Sequence, residues 1–312
     1  MQWKILLTDG LAPISDQELL ASVELADRKG ISAEELLEVI GDYDAVIVRG
    51  RTKITEDVLS AAKELKVVGR MGVGVDNIDL QAASKHGVTV VNAPVATTVS
   101  VAELTLGLML SLIRGIPKAD SGLKAGEWLK KELVGTELYQ KTLGVIGFGN
   151  IGETVNKRAL AFEMNVIAYD PIRPAEEIKA AGAEPVSFEE LLKRSDIITL
   201  HIPHIDTTHH LLNEAAFNLM KDGARIICAA RGGVIDENAL LAALESGKIA
   251  GAALDVYEIE PPGASPLPMH PKVVGTPHIG AQTKEAQLRA GHDIVSEVVA
   301  ALEEKPLRWK IV

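Results

Sequence analysis

Three residues late in the chain have the side chains needed to move a proton and hold an anion: Arg231, Glu260 and His278. Arg231 follows the apolar run Ile226-Ile227-Cys228-Ala229-Ala230 and precedes Gly232-Gly233, where backbone can turn close to a ligand. A guanidinium there can hold a carboxylate through its fork of N–H donors. His278 lies between Val273-Val274-Gly275-Thr276-Pro277 and Ile279-Gly280, and imidazole is the side chain suited to exchanging one proton near neutral pH. Glu260, within Val256-Tyr257-Glu258-Ile259-Glu260-Pro261-Pro262, can orient that imidazole and favour its protonated form. Singly, each has an ordinary reading: a helix-terminal surface charge, a solvated loop acid, a satisfied core histidine.

A second constellation lies in mid-chain. The turn Gly147-Phe148-Gly149-Asn150-Ile151-Gly152 has the G-x-G-x-x-G spacing, which chance alone can produce. Its context is specific. Residues 142–147 read as a strand entering the turn, the helix continues from Ile151 to Phe162, and eighteen residues beyond Gly152 the strand 165–170 ends at Asp170. Glycines let backbone approach a pyrophosphate, the helix N-terminus supplies N–H groups and a dipole, and Asp170 can accept hydrogen bonds from a ribose. The cofactor expected is NAD(H). A carboxylate repels a 2′-phosphate, although Arg173, three residues on, has the reach to offset it.

The elements that must position these residues alternate, short β-branched runs with amphipathic helical stretches, which is the pattern of parallel α/β sheets. Strands are expected at 4–8, 45–49, 66–70 and 88–92, with helices at 32–40, 56–63 and 78–86 and with Asp16 and Thr55 at helix starts. Six more strands follow, at 142–147, 165–170, 197–201, 225–229, 249–255 and 273–276. A final helix, 284–304, cannot bury its apolar face alone and is expected to return to the first domain. The expected architecture is a Rossmann NAD-binding domain, residues 99–284, inserted in a discontinuous flavodoxin-like α/β substrate domain, residues 1–98 and 285–312.

Composition narrows the partners. A net charge of -11 opposes nucleic acid and anionic membranes, leaving a small molecule or a second copy of the chain. Cys228 is the one cysteine, so an intrachain disulfide cannot form. The start of the chain lacks a signal-peptide pattern, and the apolar stretch 104–113 is about half of what spans a bilayer. A cytoplasmic location is expected.

Over nearly its whole length the sequence resembles the D-2-hydroxyacid dehydrogenases. The resemblance is carried by Val67-Val68-Gly69-Arg70-Met71-Gly72-Val73-Gly74-Val75-Asp76-Asn77-Ile78-Asp79, by the turn at 147–152, and by Ala230-Arg231-Gly232-Gly233. Gly251-Ala252-Ala253-Leu254-Asp255-Val256 and Pro277-His278-Ile279-Gly280-Ala281 complete it. It implies that His278 takes the hydroxyl proton, that Arg231 binds the substrate carboxylate and polarises the C2 oxygen, and that Glu260 favours the imidazolium. It further implies cofactor contacts at Ala229, Asp255 and Gly280, Asp255 holding the nicotinamide carboxamide, with His201 and Pro203 beside the adenine ribose. Backbone N–H groups of Val73 and Gly74 would help hold the carboxylate, and a homodimer would form through residues 99–114.

For the acid itself, Arg49, Arg51, Lys53 and Arg70 are basic groups at strand ends that can neutralise a phosphate dianion, which favours D-3-phosphoglycerate. The ordinary alternative is that Arg51 and Lys53 simply solvate a loop. Val73, Val95 and Thr97 depart from residues common in that branch, so glyoxylate, hydroxypyruvate or a sulfonated analogue are the alternatives, and a non-catalytic NAD(H)-sensing protein is the rival from another class. The chain ends at Val312, and the regulatory C-terminal domain of longer members, with feedback by serine through it, is not expected. His201, His204, His209 and His210 cluster in sequence, yet the resemblance assigns this segment to the ribose, and no metal is expected.

Overall fold

Apolar runs become parallel strands here because a strand buried on both faces has no place for alternating polarity. The computed structural model describes residues 2–14 and 16–312. Contacts divide the chain into two units, Met1–Thr97 with Ala281–Val312, and Thr98–Gly280.

In the first unit β1 (Trp3–Leu7), β2 (Val23–Asp27), β3 (Ala45–Val48), β4 (Val67–Arg70) and β5 (Thr89–Asn92) form a parallel sheet in the order β2-β1-β3-β4-β5. That is the flavodoxin-like order. Leu6, Val46, Val68 and Val90 bury one face against the helices Ala33–Val39, Glu56–Ala61 and Leu80–Lys85. Ile5, Ile47, Val67 and Val91 bury the other against Ile294, Val295 and Val298 of the terminal helix Lys284–Leu302. Asp16 and Thr55 cap helices as expected, each accepting a backbone N–H. The sequence suggests four strands and the sheet has five. The extra one, β2, is an edge strand with only Val23 buried, and edge strands carry charges such as Glu24 and Asp27 that mask them in a hydrophobic pattern.

In the second unit β6 (Thr142–Ile146), β7 (Asn165–Tyr169), β8 (Glu184–Pro185), β9 (Ile197–Leu200), β10 (Ala224–Cys228), β11 (Ile249–Leu254) and β12 (Val273–Gly275) pair in the order β12-β11-β10-β9-β6-β7-β8. Counted from β6 this is the dinucleotide-binding order with one strand added beyond its sixth. The strand missed by the sequence, β8, has two residues and a proline, tolerable only at an edge. The helix Thr98–Arg114 buries Ala102, Leu106, Met109 and Ile113 in this unit's core. Among the described residues no single helix is long and apolar enough to cross a membrane.

Strand order reverses between β6 and β9, and ligands of open α/β sheets bind at carboxyl ends beside such a reversal. Gly147 follows β6, Asp170 follows β7, His201 follows β9, and Asp255 follows β11 directly. Arg231 and His278 come three residues after β10 and β12.

Candidate active site

β6 runs straight into Gly147, whose φ of +89° disfavours any side chain. A Cβ on Gly147 would press into the His201 carbonyl, and one on Gly152 would overlap the Gly147 carbonyl oxygen. The turn itself therefore demands both glycines. Gly149 is different, since a Cβ there would meet nothing within 4 Å. It is also the N-cap of the helix Asn150–Ala161 and has no side chain to satisfy that helix's first N–H groups. Ser32, Thr55, Asp79 and Asp236 do this for other helices. A helix start without a side-chain cap and with open space above the glycine suits a pyrophosphate.

Asp170 is held rigidly. Oδ2 accepts from Phe148 N at 2.7 Å, and Oδ1 accepts from Ile172 N at 2.8 Å and Arg173 N at 2.9 Å. Burial raises its pKa, but the N–H groups of Arg173, Ile172 and Phe148 and the Arg173 charge outweigh that and leave it below the usual carboxylate range. The carboxylate is ionised at neutral pH with one acceptor site in hand. Arg173 turns away from the phosphate role its position allowed: Nη2 donates to Glu153 at 2.9 Å and Nε pairs with Glu177 at 2.5 Å. Two carboxylates on the guanidinium, with Asp170 on the backbone N–H of the same residue, disfavour a 2′-phosphate.

Behind the turn, His201 bonds Thr199 Oγ1 at 3.0 Å, and its Nδ1 is shielded from solvent with no hydrogen-bond partner among the described residues. Part of the residue reaches the surface, yet burial of the ring pushes its pKa down to about 3, so it is neutral at any physiological pH. Pro203 is exposed nearby in sequence. The other histidines pair among themselves and with acids: His204 Nε2 with His209 Nδ1 at 3.0 Å, His209 stacked on His210 at 3.9 Å, and His210 with Glu258 at 3.0 Å.

Across β10, β11 and β12 the three chemically capable residues converge. His278 Nδ1 lies 2.7 Å from Glu260 Oε2, while Glu260 Oε1 accepts from Tyr257 N at 3.1 Å. Burial raises the Glu260 pKa, but the hydrogen bond and charge of His278, the Tyr257 N–H and the Arg231 charge outweigh it and hold the carboxyl below its usual range. Arg231, which follows the buried Ala229 and Ala230, donates through Nη1 to Ala230 O at 2.7 Å. His278 has a φ of +52°, a left-handed conformation that a non-glycine residue adopts only when surroundings enforce it.

Asp255 does the enforcing. Its buried carboxylate accepts from Thr276 Oγ1 at 2.6 Å, Ile279 N at 2.8 Å and Gly280 N at 2.8 Å, and its carbonyl accepts from His278 N at 2.8 Å. Sequence reading placed Asp255 and Gly280 with the cofactor; the geometry makes them first the frame that displays His278.

Residues expected to hold substrate lie on two loops of the first unit. Arg49 N donates to Asp9 Oδ2 at 2.7 Å, and Asn77 Nδ2 donates to the carbonyls of Arg49 and Thr52 at 2.9 and 2.5 Å. Arg51 is a strut of this loop. Its guanidinium donates to Asp9 Oδ1, Ile31 O, Thr8 O and Thr52 Oγ1 at 2.9, 2.9, 2.8 and 3.2 Å, which uses most of its five donors internally. Arg49 reaches Gln287 at 3.5 Å, Lys53 is exposed, and Arg70 Nη1 donates to Met71 O at 2.6 Å. Buried Asn92 donates to Val73 O at 2.7 Å and so fixes the loop of Val73 and Gly74. Asp9, Asn77 and Asn92 escaped the sequence reading; an acid placed just after an apolar first strand was the available signal for Asp9.

A family model described as D-isomer specific 2-hydroxyacid dehydrogenase, NAD binding domain, matches residues 106–280. The chain is 52% identical over 302 residues to the D-3-phosphoglycerate dehydrogenase of Methanocaldococcus jannaschii, covering 96% of this chain and 57% of that protein. It thus spans little more than half the length of that curated relative. Among solved structures, a glyoxylate reductase from Paecilomyes thermophila aligns with a TM-score of 0.91 at 33% identity, over 99% of this chain and 98% of that one. The D-lactate dehydrogenase of Aquifex aeolicus, complexed with NAD and lactic acid, aligns with a TM-score of 0.84 at 33% identity, over 96% of each chain.

A carboxylate fixed in this way suits a ribose diol better than a 2′-phosphate. Asp170→Ser is expected to weaken NADH about tenfold to a hundredfold, the range of a charge-assisted hydrogen bond, and to narrow the gap between NADH and NADPH. Fluorescence titration with both nucleotides checks this; an unchanged NADH affinity would contradict the ribose role.

Proposed function

Because the chain belongs to the D-isomer specific 2-hydroxyacid dehydrogenases, we propose that it catalyses the reversible, NAD-dependent oxidation of a D-2-hydroxyacid to its 2-keto acid, with D-3-phosphoglycerate as the acid. The observation that carries the reaction is the 2.7 Å contact between His278 and Glu260 beside Arg231 at the carboxyl ends of β10 to β12. With Nδ1–H committed to Glu260, Nε2 is the imidazole nitrogen left with a lone pair, and it takes the proton of the C2 hydroxyl. The imidazolium so formed is stabilised by the Glu260 carboxylate. Arg231 binds the substrate carboxylate and polarises the C2 oxygen, where negative charge develops as the hydroxyl loses its proton. NAD, when bound, supplies the acceptor for the hydride that leaves C2.

In this reading residues 99–284 are the NAD-binding domain and residues 1–98 with 285–312 the substrate-binding domain. Support for the phosphorylated acid comes from the 52% identity to a D-3-phosphoglycerate dehydrogenase and from the cations Arg49, Lys53 and Arg70. One observation favours the second reading, an unphosphorylated 2-keto acid: Arg51 is spent on Asp9 and three further internal acceptors, so the loop offers fewer charges to a phosphate.

A homodimer is part of the proposal. The dimer contact proposed is the helix Thr98–Arg114, where Val99 is exposed, extended to Ile116, Leu123, Trp128 and Val134 beyond it, exposed apolar side chains of 50 to 88% accessibility that a second copy would cover. Sedimentation at micromolar concentration should give twice the mass of one chain, and Trp128→Glu should shift it toward one; a wild-type monomer removes this part of the account.

A steady-state panel decides the acid. With NADH, phosphohydroxypyruvate is expected to be reduced with the highest kcat/KM against hydroxypyruvate and glyoxylate. Activity confined to the unphosphorylated acids would establish the second reading, and none with any 2-keto acid would remove the enzymatic assignment.

A further inference from the structure

Tyr257 touches the surroundings of all three reactive residues although its own side chain is turned into the core. It lies three residues beyond β11 and is 6% exposed. Its N–H donates to Glu260 Oε1, so the orientation of the carboxylate that meets His278 is set from Tyr257. Its carbonyl lies against Gly232, the residue after Arg231, so closely that a Cβ on Gly232 would overlap the carbonyl oxygen. Its hydroxyl donates to Leu254 O at 3.5 Å and seats against Gly275, the last residue of β12 and three before His278. A Cβ on Gly275 would overlap that hydroxyl, and apart from the ring carbon bearing it, at 3.8 Å, no other atom comes within 4 Å.

The consequence is geometric. Glu260 and the end of β12 are both referred to one rigid residue, Glu260 through its backbone N–H and β12 through the tip of its ring. We propose that Tyr257 is a positioning residue that sets the separation of Glu260 and His278, with Gly275 kept free of a side chain to receive the Tyr257 hydroxyl. Burial, together with the charges of Glu237, Asp255 and Glu260, raises the Tyr257 pKa, which keeps the hydroxyl a neutral donor. Asp255 fixes the shape of the His278 turn, and Tyr257 fixes where that turn stands relative to Glu260; the two tasks are separate because the Asp255 carboxylate bonds to groups within 276–280 and not to Glu260 or Tyr257.

Gly275 allows a compensation test. It has no positive φ, so alanine is tolerated by the backbone, and the only cost is the clash with the Tyr257 hydroxyl. Gly275→Ala is expected to lower kcat about tenfold or more, as misplacements of about 1 Å do, with little change in NADH affinity. In the Tyr257→Phe background, where the hydroxyl is gone, the same substitution should cost less than about twofold. The kinetic arm rests on the assigned oxidation, so a second readout stands apart from it. The downfield proton resonance of the His278 Nδ1–H···Glu260 bond, recorded without substrate, should shift or broaden in Gly275→Ala and return in the double variant. Tyr257→Leu, which empties the seat rather than crowding it, should perturb the same resonance. A Gly275→Ala effect of equal size in both backgrounds, or a resonance unmoved by Gly275→Ala and Tyr257→Leu, overturns the proposal. Loss of activity in the wild type with the resonance pattern as described would instead count against the assigned reaction.

Discussion

The contact between His278 and Glu260 is what the second unit is arranged to hold. An imidazole and a carboxylate 2.7 Å apart, 47% and 35% exposed at their side chains, would wander if only their own attraction joined them, since pairs open to water contribute little. Each partner is therefore fixed by backbone. Glu260 is tied by the Tyr257 N–H, and His278 stands in a left-handed turn flanked by Thr276 Oγ1, Ile279 N and Gly280 N, which donate to the Asp255 carboxylate. A buried carboxylate that accepts three hydrogen bonds is far more stable ionised and paired than left without partners, so the turn and the charge of Asp255 sustain one another.

Parallel sheets make this economical in structure. Every strand of the second unit ends at the same edge, so short extensions of β10, β11 and β12 bring Arg231, Glu260 and His278 together from 48 residues of chain. β6, β7 and β9 deliver the glycine turn, Asp170 and His201 at the same edge by the same geometry. The first unit uses a similar device with different groups. Asp9, Arg51 and Asn77 fasten the loop after β3, and Asn92 fastens the loop after β4. In both units a polar side chain bonded to loop backbone does the preorganising, leaving neighbouring side chains to meet a ligand.

Much of this was readable in the residues. The glycine spacing with Asp170 behind it and the two series of apolar runs follow from local chemistry, which a sequence displays directly; Arg231, Glu260 and His278 each had an ordinary reading alone, and the family resemblance joined them. What escaped was either weakly patterned or defined by partners distant in the chain. β2 and β8 are edge strands with charge or proline, and they carry almost no hydrophobic alternation. Arg51 looked like a phosphate ligand because its acceptors, Asp9, Thr8 and Ile31, are 20 to 43 residues away. Arg173 looked able to favour NADP until Glu153 and Glu177 were seen beside it. Tyr257 and Gly275 read as ordinary core and turn residues, and only their contact gives either a task.

The pH dependence of oxidation in Glu260→Gln tests the central pairing most directly. His278 must be neutral to accept the hydroxyl proton, so activity is lost as pH falls through its protonation. A carboxylate whose Oε2 lies 2.7 Å from the ring attracts an imidazolium more strongly than a neutral imidazole. Replacing it with the neutral amide removes that bias, so the acid limb of the kcat/KM profile is predicted to move to lower pH while kcat at the optimum falls. An acid limb that stays in place would contradict the pairing of Glu260 with His278 as the proton-transfer device.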